Sequence, residues 1–162
     1  MTSIRRRPFR LPALAAAALL ALAGCSSGDA RAQVDPPPAP PADLAQLCAA
    51  LHRELPAEVA GEDRLDPEPA SELTAAWGGA AIVLRCAVPR PPEMDDPKSD
   101  GVDVDGVGWL VQRLPDGASR FTTTYRKAYV EVTVAARVEG DGAVGALTDF
   151  TAPVKKSVPS TL

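Results

Sequence analysis

The 162-residue chain holds few side chains capable of chemistry: one histidine, three cysteines and a crowd of aspartates. As a general base, His52 would need a nucleophile and an orienting acid, and no Gly-x-Ser-x-Gly elbow or similar turn supplies them. It sits four residues after Cys48 at the edge of an apolar stripe. It is expected to titrate as an ordinary helix-flank side chain without catalysing. One histidine and two cysteines do not fill a zinc ligand set. No Cys-x-x-Cys spacing is present to lower a thiol pKa, so redox catalysis is not expected either. Asp95, Asp96, Asp100, Asp103 and Asp105 fall within eleven residues. The order Asp103-Val104-Asp105-Gly106 is that of half a calcium loop, which requires a bidentate acid at its twelfth position. Counted from Asp103 that position is Leu114, so the motif fails. A solvated acidic loop is expected, with weak millimolar calcium binding left open and no cofactor implied.

Arg85 and Arg90, with Trp77 close in sequence, make a candidate contact surface for an anionic or sugar-like ligand, joined by Tyr129 and Glu131. The competing reading is an amphipathic outer face whose charges pair with one another. Trp77 and Trp109 are as well explained by packing at the core or its rim.

The third cysteine, Cys25, belongs to a different chemistry. "MTSIRRRPFR" carries four arginines and no acid, and "LPALAAAALLALA" carries no charge. A basic head followed by an apolar run shorter than the ~20 residues of a membrane span is the pattern of a secretory signal. Leu22-Ala23-Gly24-Cys25 then resembles the lipobox of bacterial lipoproteins, in which diacylglycerol is attached to the cysteine before the preceding peptide is removed. Residues 1–24 are therefore expected to be cleaved, leaving Cys25 as a lipidated N-terminus on the outer face of the cytoplasmic membrane. Arg6-Arg7-Pro8-Phe9 has the order of a twin-arginine signal, yet three arginines also make a plain basic head, and both export routes stay open.

The first 24 residues hold four of the seventeen Lys and Arg and none of the twenty-one Asp and Glu, so residues 25–162 sum to −8 in formal charge. That balance lacks the basic footprint of a nucleic-acid binder and argues against a polybasic grip on lipid headgroups. Residues 25–41, "CSSGDARAQVDPPPAPP", are poor in large apolar side chains and rich in proline. They are expected to form an extended, flexible stalk. Residues 42–160 remain for one compact domain.

Within that domain "ADLAQLCAALHRELP" reads as a helix, capped by Asp43 with Gln46 completing a box and stopped by Pro56. Leu44, Leu47, Cys48, Leu51 and Leu55 follow the spacing of one buried face. "AAIVLRCAV" reads as a strand that alternates Ile82, Leu84, Cys86 and Val88 inward against Arg85 outward. Cys48 and Cys86 thus face the same layer, and in an oxidising compartment a disulfide between them is expected. "SELTAAW" reads as a helical turn or two, and "PRPPEMDDPKSDGVDVDG" as a loop. "VGWLVQRL", a Pro115-Asp116-Gly117 turn, "SRFTTTYR" and "KAYVEVTVAA" complete a meander. Val144, Leu147, Phe150 and Val154 mark a closing helix that Pro153 would shorten or kink. The expected fold is α+β: an antiparallel sheet of about four strands, with an N-terminal and a C-terminal helix on one face.

The strings "CAALHRELP", "TAAWGGAAIVLRCAVPRP", "GWLVQ" and "RFTTTYRKAYVEVTV" resemble a family of actinobacterial lipoproteins defined only as a domain of unknown function, DUF3515. The resemblance spans about residues 40–158. It implies the lipid anchor and the paired cysteines and no activity. The family pattern has Gly where Tyr125 stands and Pro near Ala80, departures that bear on the turn between the last two strands. Together these features predict a non-enzymatic envelope lipoprotein, an accessory or interaction module with a protein partner in the envelope. The alternative is a small-ligand binder or envelope enzyme using a pocket near Arg85 and the Asp-rich loop. The sequence carries no signal for oligomeric state.

Overall fold

The computed structural model describes residues 31–138 and 142–162. Cys25 and the expected signal segment 1–24 lie outside the described residues. Helix α1, Ala42–Glu54, and helix α2, Gly142–Ser157, pack on one face of an antiparallel sheet. Its eight strands are β2 (Glu58–Val59), β3 (Glu62–Leu65), β5 (Thr74–Trp77), β6 (Ile82–Cys86), β7 (Asp100–Val104), β8 (Val107–Arg113), β9 (Ser119–Thr123) and β10 (Val130–Val134). The order across the sheet is β2-β3-β5-β6-β10-β9-β8-β7. A separate parallel pair joins β1 (Ala32–Gln33) to β4 (Pro67–Glu68).

The mixed α+β class and the two helices agree with the sequence; a sheet of about four strands does not. The strands at β6, β8, β9 and β10 were legible, and four more pair beside them. β5 occupies the stretch read as helical turns. All four of its residues are buried, because Ala75 faces the helices while Ala76 faces a second cluster with Ala32 and Val34. A strand covered on both faces shows no alternation, and its alanines mimic a helix. β7 was hidden in the acidic stretch. Asp105 and Gly106, both at positive φ, turn it back into β8, and Asp103 Oδ1 accepts from the Gly106 amide at 2.9 Å. The half calcium loop is a hairpin of the Asp-Gly type.

The expected stalk is also corrected. Ala32 and Val34 are buried, and their amides donate to the carbonyls of Asp66 and Glu68. Their small apolar side chains fill the space over Ala76 and Val83, so the folded unit takes in this segment ahead of the expected start at residue 42. It also extends past residue 160, since the Thr161 amide donates to the Tyr125 carbonyl.

α1 starts after Pro41 without a side-chain cap, so Asp43 is inside the first turn and makes no capping box. It ends at Leu55, whose ψ of 137° is the extended conformation required before Pro56. α2 continues through Pro153 to Ser157, burying Leu147, Phe150 and Val154. Cys48 and Cys86 form the disulfide at a Cα separation of 5.7 Å, tying α1 to the middle of the sheet.

Candidate functional site

Period-two alternation sends Leu84, Cys86, Val130 and Val132 toward the helices, and Arg85 and Glu131 to the outer face. Register then places a row of neighbours across that face: Thr74 opposes Arg85, Arg85 opposes Glu131, Glu131 opposes Thr122, and Thr122 opposes Leu110. Arg120 enters diagonally from β9. Glu131 Oε1 accepts from Arg85 Nη1 at 3.3 Å, and its Oε2 lies 3.5 Å from Arg120 Nε. The Glu131 side chain is only 10% exposed, whereas the two arginines keep about a third of theirs in solvent, at 32% and 36%. Thr122 is fully buried, and neither its Oγ1 nor Arg85 Nε has a partner, while Arg120 Nε makes no hydrogen bond beyond its long contact to Glu131. The outer face is thus half-closed around a charged cluster.

Beside this cluster a groove of about 540 Å³ lies between the segment after β6 and strands β7 and β8. Arg90, Met94, Leu110, Tyr129 and the acids Asp100 and Asp103 are among its walls. Arg90 is not free to swing: it holds Asp95 through two hydrogen bonds of 2.8 Å. That contact keeps the Asp95 carboxyl below its usual range and raises the Arg90 guanidinium. Gly108 belongs to the floor, where a Cβ would collide with the Thr124 side chain. Tyr125 stands on the rim, 62% exposed, with φ of +53°. That is the left-handed region a glycine adopts freely.

Trp77, expected on the contact surface, is on the opposite face and completely buried. Its ring meets Phe150 edge to face at 5.2 Å and its Nε1 donates to the Pro56 carbonyl. It is a core residue because β5 is central in the sheet and presents it to α2. The Arg64 guanidinium lies 5.9 Å from its ring centroid. Arg64 also donates to His52 Nε2 at 3.0 Å. Arginine has no lone pair, so Nε2 is the acceptor and the ring is neutral with its proton on Nδ1. Burial, and secondarily Arg64, push the His52 pKa down from its ordinary value, and burial likewise lowers that of Arg64. This pair borders a second hollow of about 690 Å³, walled by Arg31, Asp66, Glu68 and Glu72.

Arg85 and Glu131 are therefore brought together across β6 and β10, and Arg90 and Tyr129 line the adjoining groove. Sequence reasoning missed Arg120 and Thr122. The signal was present in the alternation of "SRFTTT", which sets Ser119, Phe121 and Thr123 against Arg120 and Thr122. Among the described residues, no three His, Cys, Asp or Glu side chains are grouped so that they could hold a metal ion.

These features define a small α+β domain whose outer sheet face bears a charged cluster and a groove. The chain belongs to the family described as "Protein of unknown function (DUF3515)", whose sequence model matches residues 9–162. No curated protein and no solved structure matches it.

Proposed function

We propose that the protein is a lipid-anchored, extracytoplasmic lipoprotein of the cell envelope that acts as a non-catalytic accessory or interaction module, with the outer sheet face as its contact surface. The observation that carries the reading is the juxtaposition of the Arg85–Glu131–Arg120 cluster with the 540 Å³ groove on one face, while the single histidine is engaged by Arg64. Anchoring rests on Leu22-Ala23-Gly24-Cys25 behind a basic head and an apolar run. No described helix is long and apolar enough to cross a membrane. Because the chain docks at Ala32, only six residues separate it from Cys25. They reach at most roughly 25 Å when extended, so the anchored domain stays close to the bilayer.

A photo-crosslinking residue placed at Tyr125 or Arg90 in intact cells tests the contact surface, with Lys156 on α2 as the control. Adducts confined to the first two positions are expected; equal labelling at Lys156, or none at all, rejects the assignment. For the anchor, Cys25→Ser should abolish incorporation of a fatty-acid probe, and continued labelling rejects it. A second reading, a small-ligand binder, is favoured by the groove volume alone, which lies within the ~300–1,000 Å³ of ligand pockets.

A further inference from the structure

We infer that Arg85 and Arg120, held on either side of Glu131, form a binding site for an oxyanion, a phosphate or carboxylate group. The two guanidiniums share one carboxylate, which leaves a net charge of +1. The contacts of 3.3 and 3.5 Å are longer than the ~2.7–2.9 Å of a committed charge-assisted bond. The residues directly opposing the three charges on neighbouring strands are Thr74, Thr122, Thr133 and Gln112, all uncharged, so nothing there offsets the excess. Arg85 Nε and the hydroxyl of fully buried Thr122 have no partners, and Arg120 Nε has only the long 3.5 Å contact to Glu131. Orphaned polar atoms of this kind are rare in a settled ion pair, and here they gather on one sheet face around one carboxylate.

The arrangement is built on three adjacent strands, β6, β10 and β9, whose register sets the spacing of the two arginines. Arginine's planar fork matches phosphate and carboxylate oxygens two at a time. Glu131 acts as the spacer that keeps both guanidiniums on the face, and the partly exposed side chains leave their outer nitrogens to the ligand. The site deepens the contact-surface reading and rests on that assignment of the outer face, though not on the lipid anchor.

The test is isothermal titration of the full chain in neutral detergent at fixed ionic strength, with sodium phosphate and sodium acetate as probes against sodium chloride. Saturable binding of phosphate, acetate or both is expected, and the arm that responds identifies the group. Arg85→Gln and Arg120→Gln should each weaken it about tenfold or more, the loss expected for hydrogen bonds to a charged group. Glu131→Gln should tighten binding by removing the competing carboxylate. Absence of saturable binding overturns the inference, as does binding that survives unchanged in both folded arginine variants. Crosslinks from Tyr125 without oxyanion binding would leave the module reading standing and remove only this site.

Discussion

The disulfide offers the most quantitative check on how the domain is held together. It closes a loop of 38 positions between α1 and β6. In the chain-entropy treatment such a loop removes about 4 kcal/mol from the unfolded state at 25 °C. Cys48 and Cys86 are 0% and 1% exposed, so a Cys48→Ala/Cys86→Ala variant also leaves a small cavity, worth about 1 kcal/mol more. Reduction of the native protein isolates the first contribution, and the double variant adds the second. For a domain of this size 1 kcal/mol corresponds to about 4 °C, which puts the reduced protein about 15 °C below the oxidised one. Urea unfolding followed by circular dichroism, with and without a thiol reductant, measures both. Thiol counting should find Cys48 and Cys86 unreactive before reduction. If reduction shifts the midpoint by less than the equivalent of about 1 kcal/mol, the bridge does not constrain the fold as argued. Two alkylatable thiols in the native protein would reject the bridge itself.

Three other outcomes follow from particular contacts. His52 has a folded-state pKa depressed below 6.5, so the unfolded chain binds the proton more readily. Stability should therefore fall as pH drops from about 6.5 toward the folded value, and His52→Gln should flatten that slope in melts across pH 4.5–8; an unchanged slope would count against it. Val34→Asp places a charge against Ala76 and Val83, so it should release the β1 segment and speed hydrogen exchange at the Ala32 and Val34 amides while α1 and the sheet stay protected. Exchange unaltered at those amides would contradict the docking. Tyr125→Gly relieves a left-handed backbone at an exposed site and should stabilise the domain by up to about 1 kcal/mol; a lower melting temperature would show that the ring contributes more than its exposure suggests.

Local pattern carried the reading of much of the domain. The stripe ending in Leu51 and Leu55, the Pro56 stop, and the alternation of Ile82 to Cys86 and of Val130 to Val134 each depend on residues close in sequence. Side-chain direction follows from them with little tertiary help, which is why the bridge between Cys48 and Cys86 could be inferred. The same alternation placed Arg85 and Glu131 on one face. It could not place Trp77, because its neighbours Thr74, Ala75 and Ala76 are buried on both sides and carry no period. Proline-rich composition misled at residues 31–41 for a related reason: low local apolarity hides two small side chains, Ala32 and Val34, that pack only because a matching surface waits at Ala76 and Val83.

The sequence by itself determined the helices, the four alternating strands, the outward direction of Arg85 and Glu131, and the disulfide. Those features are written in periods of two and 3.6 residues and in turn chemistry. Only the tertiary structure decided the eight-strand order, the docking of the N-terminal segment on the outer face, the burial of Trp77, and the meeting of Arg120 and Thr122 with Glu131. Each of these depends on strand register and on what covers the second face of the sheet. Such pairings join residues far apart in the chain, and no local spacing encodes them.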